Sequence, residues 1–382
     1  MKRQCPYVKR CGGCRYLSMD YRKELEIKQK EASSLLASFC KVEPIIGMDR
    51  PLYYRNKVHG VVTGDRKGNC YTGIYAEGTH RVIRVDECLI EDRKADEIMN
   101  TITGLMKSFK MKPYNEDTGY GFLRHILIRT GHTTGQILVV LVTADNIFPG
   151  KNNFVKALRK KHPEITSIVM NINNRRTSMV LGEKQQVLYG KGFIEDRLCG
   201  KLFRISAKSF YQVNPVQTEV LYGKAMEYAA LTGGEKVIDA YSGIGTIGMI
   251  AADYAGEVTG VELNRDAVKD AIANARGNKI KNIRFVCDDA GDFMVKAAAA
   301  SQKYDVVFMD PPRAGASRKF LDCLLRLKPE KVVYISCNPE TLKRDLAYLT
   351  GHGYQARKIQ PVDMFPGTGH VECVVLMSKV KD

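Results

Sequence analysis

The fold is decided by the stretch Val237-Ile238-Asp239-Ala240-Tyr241-Ser242-Gly243-Ile244-Gly245-Thr246-Ile247-Gly248. It starts as a short apolar run typical of a buried parallel strand, turns at glycines and enters a helix. Its glycines satisfy the G-x-G-x-x-G pattern of nucleotide-binding loops. Glu262 ends the next predicted strand, where a carboxylate bonds the ribose hydroxyls. The stretch therefore predicts a βαβ unit that binds an adenosine-bearing cofactor.

Two classes of cofactor fit this loop. The pyrophosphate of a dinucleotide would meet the negative charge of Asp239, which stands just before the glycines. The sulfonium and amine of S-adenosylmethionine tolerate an acid at this position. We therefore favour S-adenosylmethionine and keep a nicotinamide-dependent oxidoreductase as an alternative from another class.

From this stretch onward, strands and helices alternate regularly. Such alternation predicts an α/β, Rossmann-like domain, with a mostly parallel sheet and helices on both faces. Two further strands, near 355–360 and 371–378, follow without a helix between them. The alternating strands are predicted at 236–240, 258–262, 283–287, 304–309 and 331–335, and the helices at 246–254, 264–276, 289–300, 316–326 and 340–350.

The preceding half has a different pattern. Residues 19–40 lack glycine and proline and predict one amphipathic helix that packs on the second domain. From Tyr53 to Tyr189, short strands separated by turns predict a smaller, strand-rich α+β domain with antiparallel pairing. We expect two domains, residues 1–200 and residues 201–382, since 382 residues exceed one ordinary core.

Composition limits the class of partner. The chain has 59 Lys and Arg against 42 Asp and Glu, a net charge of +17, which favours a polyanion such as RNA. A solvated basic surface is the alternative reading. No segment resembles a signal peptide or the roughly 20 apolar residues of a membrane span, so we expect a cytoplasmic protein.

Cys337 is the candidate nucleophile. It follows the predicted strand 331–335, and the carboxyl ends of such strands form the ligand-binding rim. A helix starting at Asn338-Pro339 is expected to lower the pKa of the thiol. Asp310 ends a neighbouring strand, and Glu372 lies in a strand that approaches the same rim.

A methyl donor beside a thiolate restricts the chemistry. Carbon 5 of a pyrimidine becomes nucleophilic only after a thiolate adds to carbon 6. A base must then remove the carbon-5 proton before the thiol can leave. Cys337 and Glu372 are the candidates for these two roles.

At these motifs the chain resembles the 5-methyluridine RNA methyltransferases, and most closely the 23S ribosomal RNA branch. The resemblance implies that Cys337 is the nucleophile and Glu372 the base. It also implies that Gln212, Tyr241, Glu262 and Asp310 contact S-adenosylmethionine, with Asp289 as a further candidate. The matching motifs are Ser206–Asn214, Asp239–Gly245, Val261-Glu262, Asp310–Gly315, Ser336–Pro339 and Phe365–Glu372.

Several alternatives stay open. Related cytosine-5 methyltransferases use a second cysteine in the loop that here reads Asp310-Pro311-Pro312, so its absence favours uracil. Transfer RNA is an alternative substrate. A non-catalytic iron–sulfur RNA-binding protein is an alternative class.

A metal site is predicted near the amino terminus, where three thiols are closely spaced: Cys5, Cys11 and Cys14. Cys88 is our choice for a fourth ligand, with Cys40 and Cys70 as alternatives. Four thiolates suit zinc or a [4Fe–4S] cluster, and the resemblance favours the cluster. Many members of the resembled family begin with an additional oligonucleotide-binding barrel (TRAM domain), and the expectation is that this chain lacks it. A monomer is expected.

Overall fold

The computed structural model describes residues 4–76, 78–79, 81–175, 177 and 179–380. These residues form two seven-stranded sheets and a separate two-stranded hairpin. Within the same residues, no helix combines the length and apolar composition that crossing a bilayer requires.

The first sheet has the strand order β3-β2-β1-β4-β5-β6-β7. Its pairing is antiparallel except between β5 and β6, which α4 connects as a parallel pair. The elements of this half are α1 (Val8–Cys11), α2 (Tyr21–Leu36), β1 (Lys57–Gly64), β2 (Cys70–Tyr75), β3 (Val82–Arg84), α3 (Arg93–Met106), β4 (Leu123–Thr130), β5 (Ile137–Thr143), α4 (Lys151–Lys161), β6 (Ile165–Ile172) and β7 (Lys184–Tyr189).

The α+β prediction for this half is confirmed, with two corrections. The parallel β5–β6 pair departs from the expected antiparallel pairing, because the 151–161 segment forms a crossover helix. The helix α3 was not predicted. Its cap, Asp92, accepts hydrogen bonds from the backbone nitrogens of Lys94 and Ala95, and Ile98 and Ile102 are buried on its inner face.

The second sheet has the order β12-β11-β10-β13-β14-β16-β15. The strands β10 to β14 are parallel, and β16 lies antiparallel to both neighbours. The separate hairpin consists of β8 (Phe193–Leu198) and β9 (Lys201–Ser206). The elements that follow it are α5 (Pro215–Ala229), β10 (Lys236–Ala240), α6 (Thr246–Ala251), β11 (Glu257–Glu262), α7 (Arg265–Gly277), β12 (Ile283–Cys287), α8 (Ala290–Ala299), β13 (Val306–Met309), α9 (Arg318–Leu327), β14 (Lys331–Ser336), α10 (Pro339–Thr350), β15 (Tyr354–Val362) and β16 (Glu372–Lys379).

Helices cover both faces of this sheet, as predicted. Successive strand residues point to opposite faces. Phe308 packs in one apolar cluster with Leu221 of α5 and Ile250 of α6. Its neighbour Met309 belongs to a second cluster with Phe320 of α9. The alternating strands and helices are therefore confirmed, and α5 is an additional helix.

The two halves share one of the apolar clusters. The first cluster also contains Val140 and Val169 of the first sheet and Phe203 of the β8–β9 hairpin. The amino-terminal helix α2 packs against α10 and β15. The predicted domain boundary at residue 200 falls between β8 and β9, and this boundary stays a prediction.

Candidate active site

A cavity of about 580 Å³ opens at the carboxyl ends of the parallel strands. Its volume is typical of sites for small molecules and cofactors. The cavity is lined mainly by the second half, and Gly13, Arg55 and Ile90 of the first half complete its wall. The predicted residues that line it are Gln212, Tyr241, Glu262, Asp310, Cys337 and Glu372.

Glu262 is held against the glycine loop. Its Oε2 accepts a hydrogen bond of 2.9 Å from the backbone nitrogen of Gly243. Its Oε1 accepts one of 2.7 Å from the nitrogen of Asn264. Both contacts fix the carboxylate at the end of β11, where it can accept hydrogen bonds from a ribose.

Tyr241 and Gln212 are also held in place. Tyr241 has a left-handed backbone with φ of 64°, and its ring centroid lies 5.1 Å from that of Phe320. The buried hydroxyl of Tyr222 is hydrogen-bonded to the side chains of Gln212 and Thr246. These contacts orient two predicted cofactor ligands before any ligand binds.

Asp239 has a different role from the one its position suggested. It is fully buried, and its Oδ2 accepts a hydrogen bond of 2.7 Å from the nitrogen of Gly248. Burial, and the nearby charges of Asp310 and Glu262, raise its pKa to about 8. Asp239 therefore anchors α6, and the acids that line the cavity are Glu262, Asp310 and Glu372. The sequence-based argument that Asp239 carries the charge disfavouring a pyrophosphate was therefore wrong, because Asp239 does not line the cavity.

Strand register brings Cys337 and Glu372 together. In the antiparallel pair β14–β16, Ser336 lies opposite Cys373. Cys337 is the next residue after β14, and one further step in this register would place it opposite Glu372. The charge of Glu372 raises the pKa of the Cys337 thiol, so the two side chains are close. Both line the cavity, and only 3% of Glu372 is exposed.

The pKa of Cys337 is raised, to about 11, which corrects the sequence-based expectation of a lowered value. Burial is the largest cause, and the carboxylates of Glu372 and Asp310 add to it, whereas Arg313 opposes it. The helix α10 does begin at Pro339, but its N-terminus does not outweigh burial. The thiol therefore needs a proton acceptor.

The two neighbouring carboxyl groups are also perturbed. Burial raises the pKa of Glu372 to about 8, and the charge of Asp310 adds to the effect. Burial alone raises the pKa of Asp310 to about 7. Carboxyl groups with pKa values near neutrality are suited to exchange protons with a substrate.

A second cavity, of about 490 Å³, lies on the other side of Cys337. It shares Cys337, Arg313 and His370 with the first cavity, and Arg15 and Asn338 also line it. The sulfur thus lies between a cofactor-sized cavity and a more polar, open one.

Two cavity residues had no assigned role in the site. Arg55 reaches it because the nitrogen of Asn56 donates to the carbonyl of Val213, a contact between halves that sequence periodicity does not reveal. Phe210 lines the cavity with 69% of its surface exposed. Its place within the motif Ser206–Asn214 was the available signal. Asp289 lies outside the cavity, where its carboxylate caps α8, so its cofactor role stays a prediction.

The predicted metal cysteines lie in one region, but their side chains are not gathered around a common centre. Cys5, Cys14 and Cys88 pack around Leu17 and Ile90. Cys11 is close enough to Cys14 to raise the pKa of that thiol. In the part of the chain that is described, however, no three such side chains form a group that could hold a metal ion.

The sheet order, the glycine loop and the acid-lined cavity define the class of protein, an α/β methyltransferase. Residues 20–380 match the family described as tRNA (Uracil-5-)-methyltransferase. An uncharacterized RNA methyltransferase of Halalkalibacterium halodurans is 43% identical over 378 residues, which are 98% of this chain and 82% of that protein. Another, of Caldanaerobacter subterraneus subsp. tengcongensis, is 41% identical over 380 residues, or 98% of this chain and 84% of that protein.

A solved structure is similar over nearly the whole chain. It is the Pyrococcus abyssi tRNA (uracil-54, C5)-methyltransferase in complex with S-adenosyl-L-homocysteine, with a TM-score of 0.81 and 29% identity. The match covers 98% of this chain and 87% of that one. The chain belongs to the S-adenosylmethionine-dependent RNA uracil-5-methyltransferase family. The predicted family is thus confirmed, whereas the 23S branch is not.

Proposed function

We propose that this protein is a cytoplasmic monomer that methylates carbon 5 of a uridine in 23S ribosomal RNA through a covalent bond between Cys337 and carbon 6. The observation that carries the proposal is that Cys337 and Glu372, which are close enough to interact electrostatically, line one cavity together with Glu262 and Asp310. A thiol beside a buried carboxyl group supplies the nucleophile and the base that the reaction needs.

The residues of the cavity fit S-adenosylmethionine. Glu262 is placed for the ribose hydroxyls, and Gln212 and Tyr241 line the same wall. When bound, the cofactor supplies an electrophilic methyl group carried on a positive sulfonium. A positive charge near Asp310 and Glu372 favours their carboxylate forms, which lowers both raised pKa values.

Cys337 acts first. Its thiol passes its proton to the carboxylate of Asp310, and the thiolate forms a bond from Sγ to carbon 6 of the uracil. The electron pair of the carbon 5–carbon 6 double bond moves to carbon 5. Carbon 5 would then take the methyl group of the bound cofactor, as the bond from that group to the sulfonium sulfur breaks and its electron pair stays on the sulfur as a neutral thioether. Arg313, which already lowers the pKa of Cys337, stabilises negative charge during this step.

Glu372 completes the reaction. Its carboxylate takes the proton from carbon 5, and the electrons of that bond restore the double bond to carbon 6. The bond between Sγ and carbon 6 breaks, and Cys337 leaves as a thiolate. Because Glu372 is almost fully buried, its carboxylate is protected from competing water.

The target uridine enters from the open side of Cys337. Leaving its stack costs a few kcal/mol, so a looped RNA segment is the favoured substrate. The exposed ring of Phe210 offers a surface for base stacking, and Arg55 adds positive charge at the rim. The net charge of +17 supports attraction to the RNA backbone.

Transfer RNA is the second candidate substrate. The observation that favours it is the similarity to the Pyrococcus abyssi enzyme, whose name specifies uracil-54 of tRNA. The same catalytic residues could methylate either RNA, so the surface that binds the RNA would determine which one is the substrate.

A labelling experiment distinguishes these substrates. Purified protein is incubated with methyl-tritiated S-adenosylmethionine and with 23S ribosomal RNA or transfer RNA from cells that lack the protein. We expect tritium in 5-methyluridine of 23S RNA, located by mass mapping of fragments. Label in transfer RNA alone would establish the second candidate. Label in 5-methylcytidine, or in neither RNA, would reject uridine methylation, and nicotinamide-dependent turnover would then support the oxidoreductase.

We also propose a [4Fe–4S] centre held by Cys5, Cys11, Cys14 and Cys88. The proposal is supported by the location of these thiols in one region, from which they would have to turn toward a common centre. Anaerobically purified protein is expected to contain about four iron and four sulfide per chain. Cys88→Ser should lower this content, whereas the strand cysteine variant Cys70→Ser should not. One zinc per chain, or neither metal, would contradict the cluster.

A further inference from the structure

Three ionisable side chains with no exposed surface join α2 to the loop that precedes Glu372. The Nζ of Lys28 lies 2.9 Å from Oε1 of Glu24 and 2.7 Å from Oδ1 of Asp363. All three side chains have a relative exposure of 0%. Full burial of such groups is rare, and these three hold one positive and two negative charges when ionised.

Two further hydrogen bonds reach the carboxylates of this network. The hydroxyl of Tyr21 donates a hydrogen bond of 2.8 Å to Oδ2 of Asp363. The backbone nitrogen of Gly367 donates one of 2.6 Å to Oε1 of Glu24. The network therefore ends on the backbone of residues 363–371, the loop between β15 and β16.

Further contacts from the amino-terminal region hold the same loop. Lys28 donates to the carbonyl of Phe365 at 3.2 Å, and the hydroxyl of Tyr54 donates to that of Pro366 at 3.0 Å. The nitrogen of Tyr16 donates to the carbonyl of Gly367 at 2.8 Å. Three consecutive carbonyls of the loop are thus bound by residues far away in the sequence.

This loop supplies part of the active cavity. Phe365, Thr368 and His370 line it, and Glu372 follows as the first residue of β16. A buried ion network contributes less to stability than well-packed apolar side chains of similar volume. Its hydrogen bonds do, however, define one backbone path for the loop, and a base must lie within hydrogen-bonding distance of the proton that it removes.

We propose that Lys28, Glu24 and Asp363 are positioning residues that hold the loop, and through it Glu372, in the geometry required for removal of the carbon-5 proton. The inference rests on the proposed function, in which Glu372 is the base. It gives α2 a part in the catalytic step although none of the three side chains lines the cavity.

The test replaces the three charges with neutral groups of similar size, Glu24→Gln, Lys28→Met and Asp363→Asn together. We expect a folded protein whose KM for S-adenosylmethionine changes less than about twofold, and whose kcat falls about tenfold or more because the base is misplaced. A covalent protein–RNA adduct should accumulate, since elimination is the slowed step. Loss of stability alone would not produce this adduct.

The control breaks a partly buried ion pair in another part of the chain. Arg124, of which 1% of the side chain is exposed, lies 2.9 Å from Glu116 in the first half of the chain. Glu116→Gln removes this pair without touching the loop, and its kcat should equal that of the wild type. An equal fall in kcat in both variants would attribute the effect to general destabilisation and overturn the inference.

Two further variants keep the test decisive if the triple variant does not fold. Asp363→Asn retains the Lys28–Glu24 pair and should show the same fall in kcat, and Lys28→Arg should retain adduct-free turnover. Unchanged kcat in a folded Asp363→Asn protein would overturn the inference. If the wild type makes no 5-methyluridine, the proposed function itself fails. If the wild type turns over and the variants match it, only the positioning role fails.

Discussion

Replacement of Cys337 by Ser abolishes methyl transfer, with an expected fall in kcat of about 10⁴-fold or more, as is typical when a covalent nucleophile is removed. Without the bond from sulfur to carbon 6, carbon 5 of the uracil stays too electron-poor to attack a methyl group. The affinity for S-adenosylmethionine should change less than about twofold, because its predicted ligands are other residues. Tritium transfer measures the first effect, and calorimetric titration of the cofactor measures the second.

The control for this variant is Cys287→Ser. Cys287 is exposed at the end of β12, so it shares with Cys337 a position at a strand terminus but lies outside the cavity. The Cys287→Ser protein should methylate RNA at the wild-type rate. Turnover by Cys337→Ser above one hundredth of the wild-type rate would exclude the covalent route.

Replacement of Glu372 by Gln stops the reaction one step later. The amide has the shape of the carboxyl group but accepts no proton, so the methylated adduct cannot eliminate Cys337. The variant should fold, because burial raises the pKa of Glu372 to about 8 and a neutral group is already favoured there at pH 7. A denaturing gel should show most of the protein attached to RNA, whereas the wild type shows little.

The double variant Cys337→Ser with Glu372→Gln is the control for this adduct. It should form none, because the sulfur that makes the bond is absent. An adduct in the double variant would place the covalent bond on another residue. Normal turnover by Glu372→Gln without any adduct would assign the base role elsewhere, with Asp310 the first residue to examine.

Much of the fold of the second half could be predicted because its strands, turns and helices are determined by residues that are close together in the sequence. Short apolar strands, a glycine turn and capped helices follow one another at the spacing of βαβ units, and parallel strands bring their carboxyl ends to one rim. Glu262, Asp310 and Cys337 each end or follow such a strand, and all three line the cavity. Glu372 joins them through the antiparallel register of β16, which the sequence indicated only as a late strand.

The remaining features depend on contacts between distant segments. Nothing near Arg55 in the sequence shows that it reaches the cavity, and nothing near Lys28 predicts its partner Asp363. The pKa of Cys337 was misjudged for the same reason. A helix N-terminus can be read from Asn338-Pro339, whereas burial and the charges of Glu372 and Asp310 appear only in the folded chain.

The most direct test is mass spectrometry of the protein after reaction with S-adenosylmethionine and target RNA that carries 5-fluorouridine. A base can remove hydrogen from carbon 5 as a proton but cannot remove fluorine in this way. The last step is therefore blocked, and any covalent intermediate is retained. The proposed mechanism predicts that the peptide containing Cys337 carries a nucleotide with both the fluorine and the new methyl group. An unmodified Cys337 peptide in a sample that still methylates ordinary uridine would contradict it.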